Sequence, residues 1–136
     1  MNTVVGSKQI IANIIARKAI MVGKLTIAVM DVAGGVARNA QSGHDKGTEP
    51  HNRGRYENQT MKLTRSIKSF PVHANLKEIR ATVVASAKSD GYYYGTALEM
   101  GYFTSAGNYV HYPFMYPALV GNINNMTRKI YQAVAL

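Results

Sequence analysis

The chain has 136 residues, 46% of them apolar, and a formal net charge of +9. That length gives one domain, 1–136, with room for one core. The absence of cysteine rules out disulfides and thiolate metal sites. The basic excess suits an anionic neighbour or a patch gathered by subunit packing, and the blander account is solubility.

Residues 1–6 read as a frayed end, and Ser7 as an N-cap. From there Ile10, Ile14, Met21, Leu25, Ala28, Val32 and Val36 recur at about 100° per residue, with Ile11, Ile15 and Val29 widening the stripe. The spacing predicts a long helix over about residues 8–39, with Gly23 as a bend and Gly34-Gly35 weakening its last turns. Its stripe reads as core. Lys8, Arg17 and Lys18 break the apolar run before it reaches the roughly 18 residues of a membrane span, so no membrane contact is expected. Residues 41–60 hold three glycines and one proline with almost no apolar side chain, which predicts a long polar loop.

Beyond the loop, residues 63–67 suit a short turn or helix, and residues 70–72 an extended piece. Residues 78–88 form the clearest strand: Ile79, Ala81, Val83, Ala85 and Ala87 alternate with Glu78, Arg80, Thr82, Ser86 and Lys88. Ser89-Asp90-Gly91 is a turn. Residues 92–100 fit either a short helix or a second strand; the helix is favoured, with Tyr94, Ala97 and Leu98 inward. Residues 109–112 read as a strand stopped by Pro113. From Met115 the period is helical again, with Leu119, Ile123, Met126, Ile130 and Val134 in one stripe. Pro117 fits the first turn, where its missing N–H costs nothing, and Arg128 and Lys129 suit the far end of the dipole. The class is α+β: a small, mainly antiparallel sheet with a long N-terminal helix and a C-terminal helix packed on one face.

Catalytic and cofactor patterns are absent from the sequence. There is no nucleophile elbow, phosphate-binding loop or dinucleotide fingerprint. His44, His51, His73 and His111 are scattered, with none in a metal-ligand spacing. Glu99 is the one carboxylate in an apolar neighbourhood. It lacks the partner that acid–base work needs, so it is expected to pair with a basic residue or accept backbone N–H groups. No enzyme activity, cofactor or metal is expected. Nine tyrosines against three phenylalanines favour half-wet surfaces. Tyr92, Tyr93, Tyr102, Tyr109 and Tyr112 are candidates for a protein interface, because tyrosine offers apolar area with a polar tip. In the clip of residues 112–118, Pro113 ends a strand, Phe114 anchors the turn in the core and Pro117 opens the helix, so two prolines fix the entry angle. Gly101 is expected at positive φ.

Leu63-Thr64-Arg65-Ser66-Ile67, the run from Tyr94 to Leu98-Glu99-Met100-Gly101, and Pro113-Phe114-Met115-Tyr116-Pro117-Ala118 follow one another in a recognisable order. Over roughly residues 10–134 the chain resembles the tail-completion family of tailed bacteriophages, also called tail terminators or head–tail joining proteins. Tyr102 stands where that family often has threonine, Tyr116 where a basic residue is common, and the loop at 41–60 is longer and more polar. The resemblance implies a structural virion protein of the neck or tail, made in the host cytoplasm. It would form a homo-oligomeric ring, expected to be a hexamer, that caps the tail-tube protein and faces the head connector or stopper. The resemblance leaves room for DNA to pass through the ring without specific recognition, and binding of duplex DNA by the isolated protein is expected to be weak, non-specific and steeply lowered by salt. The competing reading is a basic nucleic-acid-binding module with Arg53 and Arg55 as phosphate contacts.

Overall fold

The computed structural model describes residues 2–42 and 62–135. The elements run α1 (Asn2–Ser42), α2 (Lys62–Ser66), β1 (Ile67–Ala74), β2 (Ile79–Ala85), β3 (Lys88–Ser89), β4 (Tyr92–Tyr93), α3 (Tyr94–Met100), β5 (Tyr102–Phe103), β6 (Tyr109–Val110) and α4 (Met115–Val134). This is the expected α+β class. The small sheet is divided into three antiparallel ladders, β1–β2, β3–β4 and β5–β6. Helix α1 lies across β1 and β2 and runs against α4.

Helix α1 begins earlier and ends later than its periodicity predicts, so Ser7 lies inside the helix and is not its cap. Propagation of a nucleated helix costs little per residue, and it carries α1 through Gly6 and Gly23. The stripe divides in two. Ala28, Val32, Val36 and Ala40 are buried, whereas Ile10, Ile11, Ile14, Ile15 and Met21 stay exposed. The first half of α1 is therefore an arm, and the expectation of a core-facing stripe holds for the second half alone. By length and composition, Gly6–Ser42 is apolar enough to cross a membrane, despite the charges that interrupt it. Yet its second half is the central helix of the core.

Gly34 and Gly35 neither break nor end the helix. A β-carbon at Gly35 would stand 2.9 Å from Asn122 Oδ1, so the glycine leaves room for α4 to pack closely on α1. That approach explains a second departure from the sequence reading. The face of α4 turned to α1 carries the small Ala118 and the buried Asn122, whose Nδ2 donates to Ala118 O at 2.8 Å. The expected apolar stripe is displaced to one side, and Leu119, Ile123 and Met126 are exposed. Lys129 bridges to Asp31 across the α1–α4 seam at 2.9 Å, and so serves the packing of the two helices more directly than the dipole of α4.

Strands β1 and β2 pair from Ile67↔Ala85 to Ala74↔Ile79, with an irregularity between Phe70 and His73. Pro71 falls there, and proline has no N–H for a ladder. Asn75 closes the connection: its Oδ1 accepts from the N–H groups of Lys77 and Glu78 at 2.7 and 2.8 Å. The strand expected over 78–88 ends at Ala85; Lys88–Ser89 pairs separately with Tyr92–Tyr93. Between them Asp90 and Gly91 both have positive φ, which is the two-residue hairpin turn that an Asp-Gly pair favours. The core gathers Val36, Ala40, Leu63, Ile67, Leu98 and Phe114, and Gln41 Nε2 donates to Ile67 O at 2.8 Å, tying the end of α1 to the start of β1.

Candidate functional site

The corner between α3 and α4 organises the distal part of the molecule. Helix α4 opens at Met115 behind Phe114, a residue with no side-chain acceptor for the free N–H groups of a first turn. Glu99, on α3, supplies that acceptor from a distance. Its Oε2 receives the N–H groups of Phe114 and Met115 at 2.8 and 2.9 Å, and its Oε1 receives that of Tyr116 at 2.9 Å. A carboxylate at a helix N-terminus also meets the favourable end of the dipole. Of the two roles expected for Glu99, the structure selects acceptance of backbone N–H groups.

The other members of the motif complete this corner. Tyr112 N–H donates to Leu98 O at 3.0 Å, and His111 Nε2 lies 2.9 Å from Glu99 O. Residues 111 and 112 thus bond to α3, and the strand expected over 109–112 stops at Val110. Phe114 is 4% exposed, within the core. Pro113 is half-buried beside it, and Pro117 stands in the first turn of α4. Gly101 caps α3 at φ 82°, donating to Ala97 O at 2.8 Å. A β-carbon there would collide with the Tyr109 hydroxyl and ring.

Exposed aromatic side chains stand around this corner, on both sides of its two short ladders. Tyr92, Tyr93, Tyr102 and Tyr109 are exposed. Tyr112 departs from the expected set: it is half-buried and packed against the core, drawn in by the bond to Leu98 and by the descent into Phe114. Met100 and Phe103, which sequence reasoning did not select, are each 73% exposed, and the Phe103 ring lies tilted against Tyr109 with centroids 5.2 Å apart. Phe103 lies in β5, whose two-residue ladder with β6 is too short to cover both of its sides, and Met100 is the last residue of α3. Lys88 Nζ sits 4.3 Å from the centre of the Tyr93 ring, a cation–π contact. A cavity of about 470 Å³ opens between Tyr92, Tyr94, Tyr102, Leu98 and Lys62.

Arg53 and Arg55, like His44 and His51, lie outside the described residues. Among the described residues, no three histidine, aspartate or glutamate side chains converge as a metal site would require. His111 and Glu99 meet through backbone and ring, not as an acid–base pair. What the site offers is a rigid corner bearing large, half-polar side chains, which is a means of contact. No family model, curated protein or solved structure matches this chain.

Proposed function

We propose that this chain is a structural subunit of the neck or tail of a tailed bacteriophage, acting by binding as one member of a closed ring. In this reading the ring caps the tail tube and presents a face to the head connector. The observation that carries the proposal is the Glu99 cap. Two pieces of the resemblance, Glu99-Met100-Gly101 and residues 113–118, meet in one hydrogen-bonded corner. A subunit repeated around a ring must hold its contact surfaces at a fixed angle, and a hydrogen-bonded corner suits that need for the aromatic side chains around it. Such a ring needs two different patches that meet with a rotation that closes.

The test is imaging of purified protein mixed with tail tubes, beside light scattering of the protein alone. Rings of defined order at tube ends are expected for the wild type. Tyr102→Glu should block ring formation while leaving the circular dichroism spectrum unchanged, because Tyr102 is exposed. A wild type that stays monomeric in the presence of tubes would remove the ring reading. Rings that form normally with Tyr102→Glu would remove Tyr102 and its surroundings as the contact.

A further inference from the structure

Helix α1 carries a second apolar row, on the side away from the core. Ala16, Ile20, Gly23, Ile27, Met30 and Gly34 follow one another at alternating steps of four and three residues, the heptad spacing of a two-helix seam. At about 100° per residue this row lies opposite the buried Val32 and Val36. Ile20, Ile27 and Met30 are 61%, 59% and 53% exposed, and a β-carbon at Gly23 would meet nothing within 4 Å. The row holds no charged residue. The face that continues the core stripe through Ile10 and Ile14 is, by contrast, interrupted by Arg17 and Lys18. We infer that the row is a docking surface for the same row of a second copy, in an antiparallel helix pair about a two-fold axis. A two-fold contact closes on two copies, so it is separate from the ring and does not rest on it.

Side-chain size and charge select this partner and this direction. Reversed on itself, the row sets Gly23 of one copy opposite Ile27 of the other, Ile20 opposite Met30, and Ala16 opposite Gly34. Ile27 of each copy thus enters the open space at the other's Gly23. A β-carbon at Gly34 would stand 3.3 Å from Arg38 Nη1, so that guanidinium lies over the end of the row, and the small Ala16 opposite leaves room for it. Along one flank of the row stand Arg17, Lys24, Asp31 and Arg38, one per heptad. The same register brings Arg17 of each copy to Asp31 of the other, which makes two ion pairs. Lys129 already engages Asp31 Oδ2, and a carboxylate has acceptor sites for both cations. Against these pairs stands one approach of Lys24 to its own copy at the axis, where the long stems let the two ammonium groups part into water. A slide of one heptad sets Arg17 against Lys24 in one direction and against Arg38 in the other, so charge fixes the register. A parallel pair would oppose Gly23 to Gly23, leaving a gap, and would set no carboxylate opposite Arg17. The body of each subunit packs on the other face of its own α1, which leaves the row open. The exposed parts of Ile20, Ile27 and Met30 come to roughly 350 Å² per copy; with Ala16, Gly23 and the flanking stems, two copies approach the roughly 1,000 Å² that a specific contact needs.

The chain has no cysteine, which permits a direct test with a short bismaleimide cross-linker on the full-length protein. Lys24→Cys, at the axis, should be captured as a covalent dimer and nothing larger. Ile20→Cys should stay monomeric, because Ile20 faces Met30 of the other copy and its two copies stand roughly 15 Å apart along the pair. Sedimentation equilibrium supplies the second readout. Ile27→Glu should weaken dimerisation by at least about tenfold, since charging a central apolar anchor has that effect. Arg17→Glu, which turns two attractions into two repulsions, should weaken it by roughly fivefold. Both should leave the circular dichroism spectrum unchanged, because both positions are exposed. Dimers from Ile20→Cys with none from Lys24→Cys would overturn the inference in favour of a parallel pair. Undiminished dimerisation of Ile27→Glu would overturn it as well. So would a wild type that stays monomeric at every soluble concentration, including one that co-sediments with phosphatidylglycerol vesicles instead. Lys24→Cys dimers in a protein that forms no rings on tail tubes would uphold this contact and remove the ring; rings without those dimers would do the reverse.

Discussion

Replacing Glu99 by alanine tests the corner most directly. The substitution strips the acceptor from three N–H groups at once, those of Phe114, Met115 and Tyr116. Losing a helix cap costs about 0.5–2 kcal/mol, and a net hydrogen bond to a charged group is worth about 1.5–3 kcal/mol. The three bonds do not add fully. Tyr116 is exposed and water can replace its partner, whereas the N–H groups of Phe114 and Met115 are partly buried. The expected cost for Glu99→Ala is therefore about 2–4 kcal/mol. Glu99→Gln keeps one carbonyl acceptor but turns an NH₂ toward the remaining donors, and should cost about half as much. The assay is urea unfolding followed by circular dichroism at low protein concentration, so that association does not add to the stability. The midpoint should fall with the slope unchanged. A Glu99→Ala protein within about 0.5 kcal/mol of wild type would refute the claim that the carboxylate holds the corner.

The remaining predictions concern packing. Phe114→Ala should destabilise the subunit by about 3–5 kcal/mol, because a buried aromatic leaves a cavity that the two flanking prolines prevent from collapsing; a thermal melt superimposable on that of the wild type would contradict this. Gly23→Ala and Gly35→Ala should move stability in opposite directions although both lie inside α1. A β-carbon at Gly23 meets nothing within 4 Å, so alanine should add up to about 1 kcal/mol of helix propensity. At Gly35 it would press on the buried Asn122, forcing α4 away from α1 and outweighing that gain. Chemical denaturation of the pair decides, and a Gly35→Ala protein as stable as Gly23→Ala would show that the helices do not meet as closely as described.

The sequence by itself determined the elements whose signal is local. The 3.6-residue period of α1 and α4, the alternation of β2 and the Asp90-Gly91 turn each arise from neighbours a few residues apart. The reading of residues 112–118 as a proline-fixed corner with Phe114 inside is local too, since proline geometry is a property of the residue. Which apolar faces are covered is not local. The stripes of α1 and α4 look continuous along the chain, yet only half of the first is buried and the second lies largely to one side. At the seam Gly35 leaves room for the buried Asn122, with Ala118 buried beside it, while Leu119, Ile123 and Met126 stay exposed. The partner of Glu99 was likewise decided by tertiary structure. Its sequence neighbourhood marks a carboxylate in need of donors, but those donors lie 15–17 residues away, at the open end of a helix that the fold brings to it.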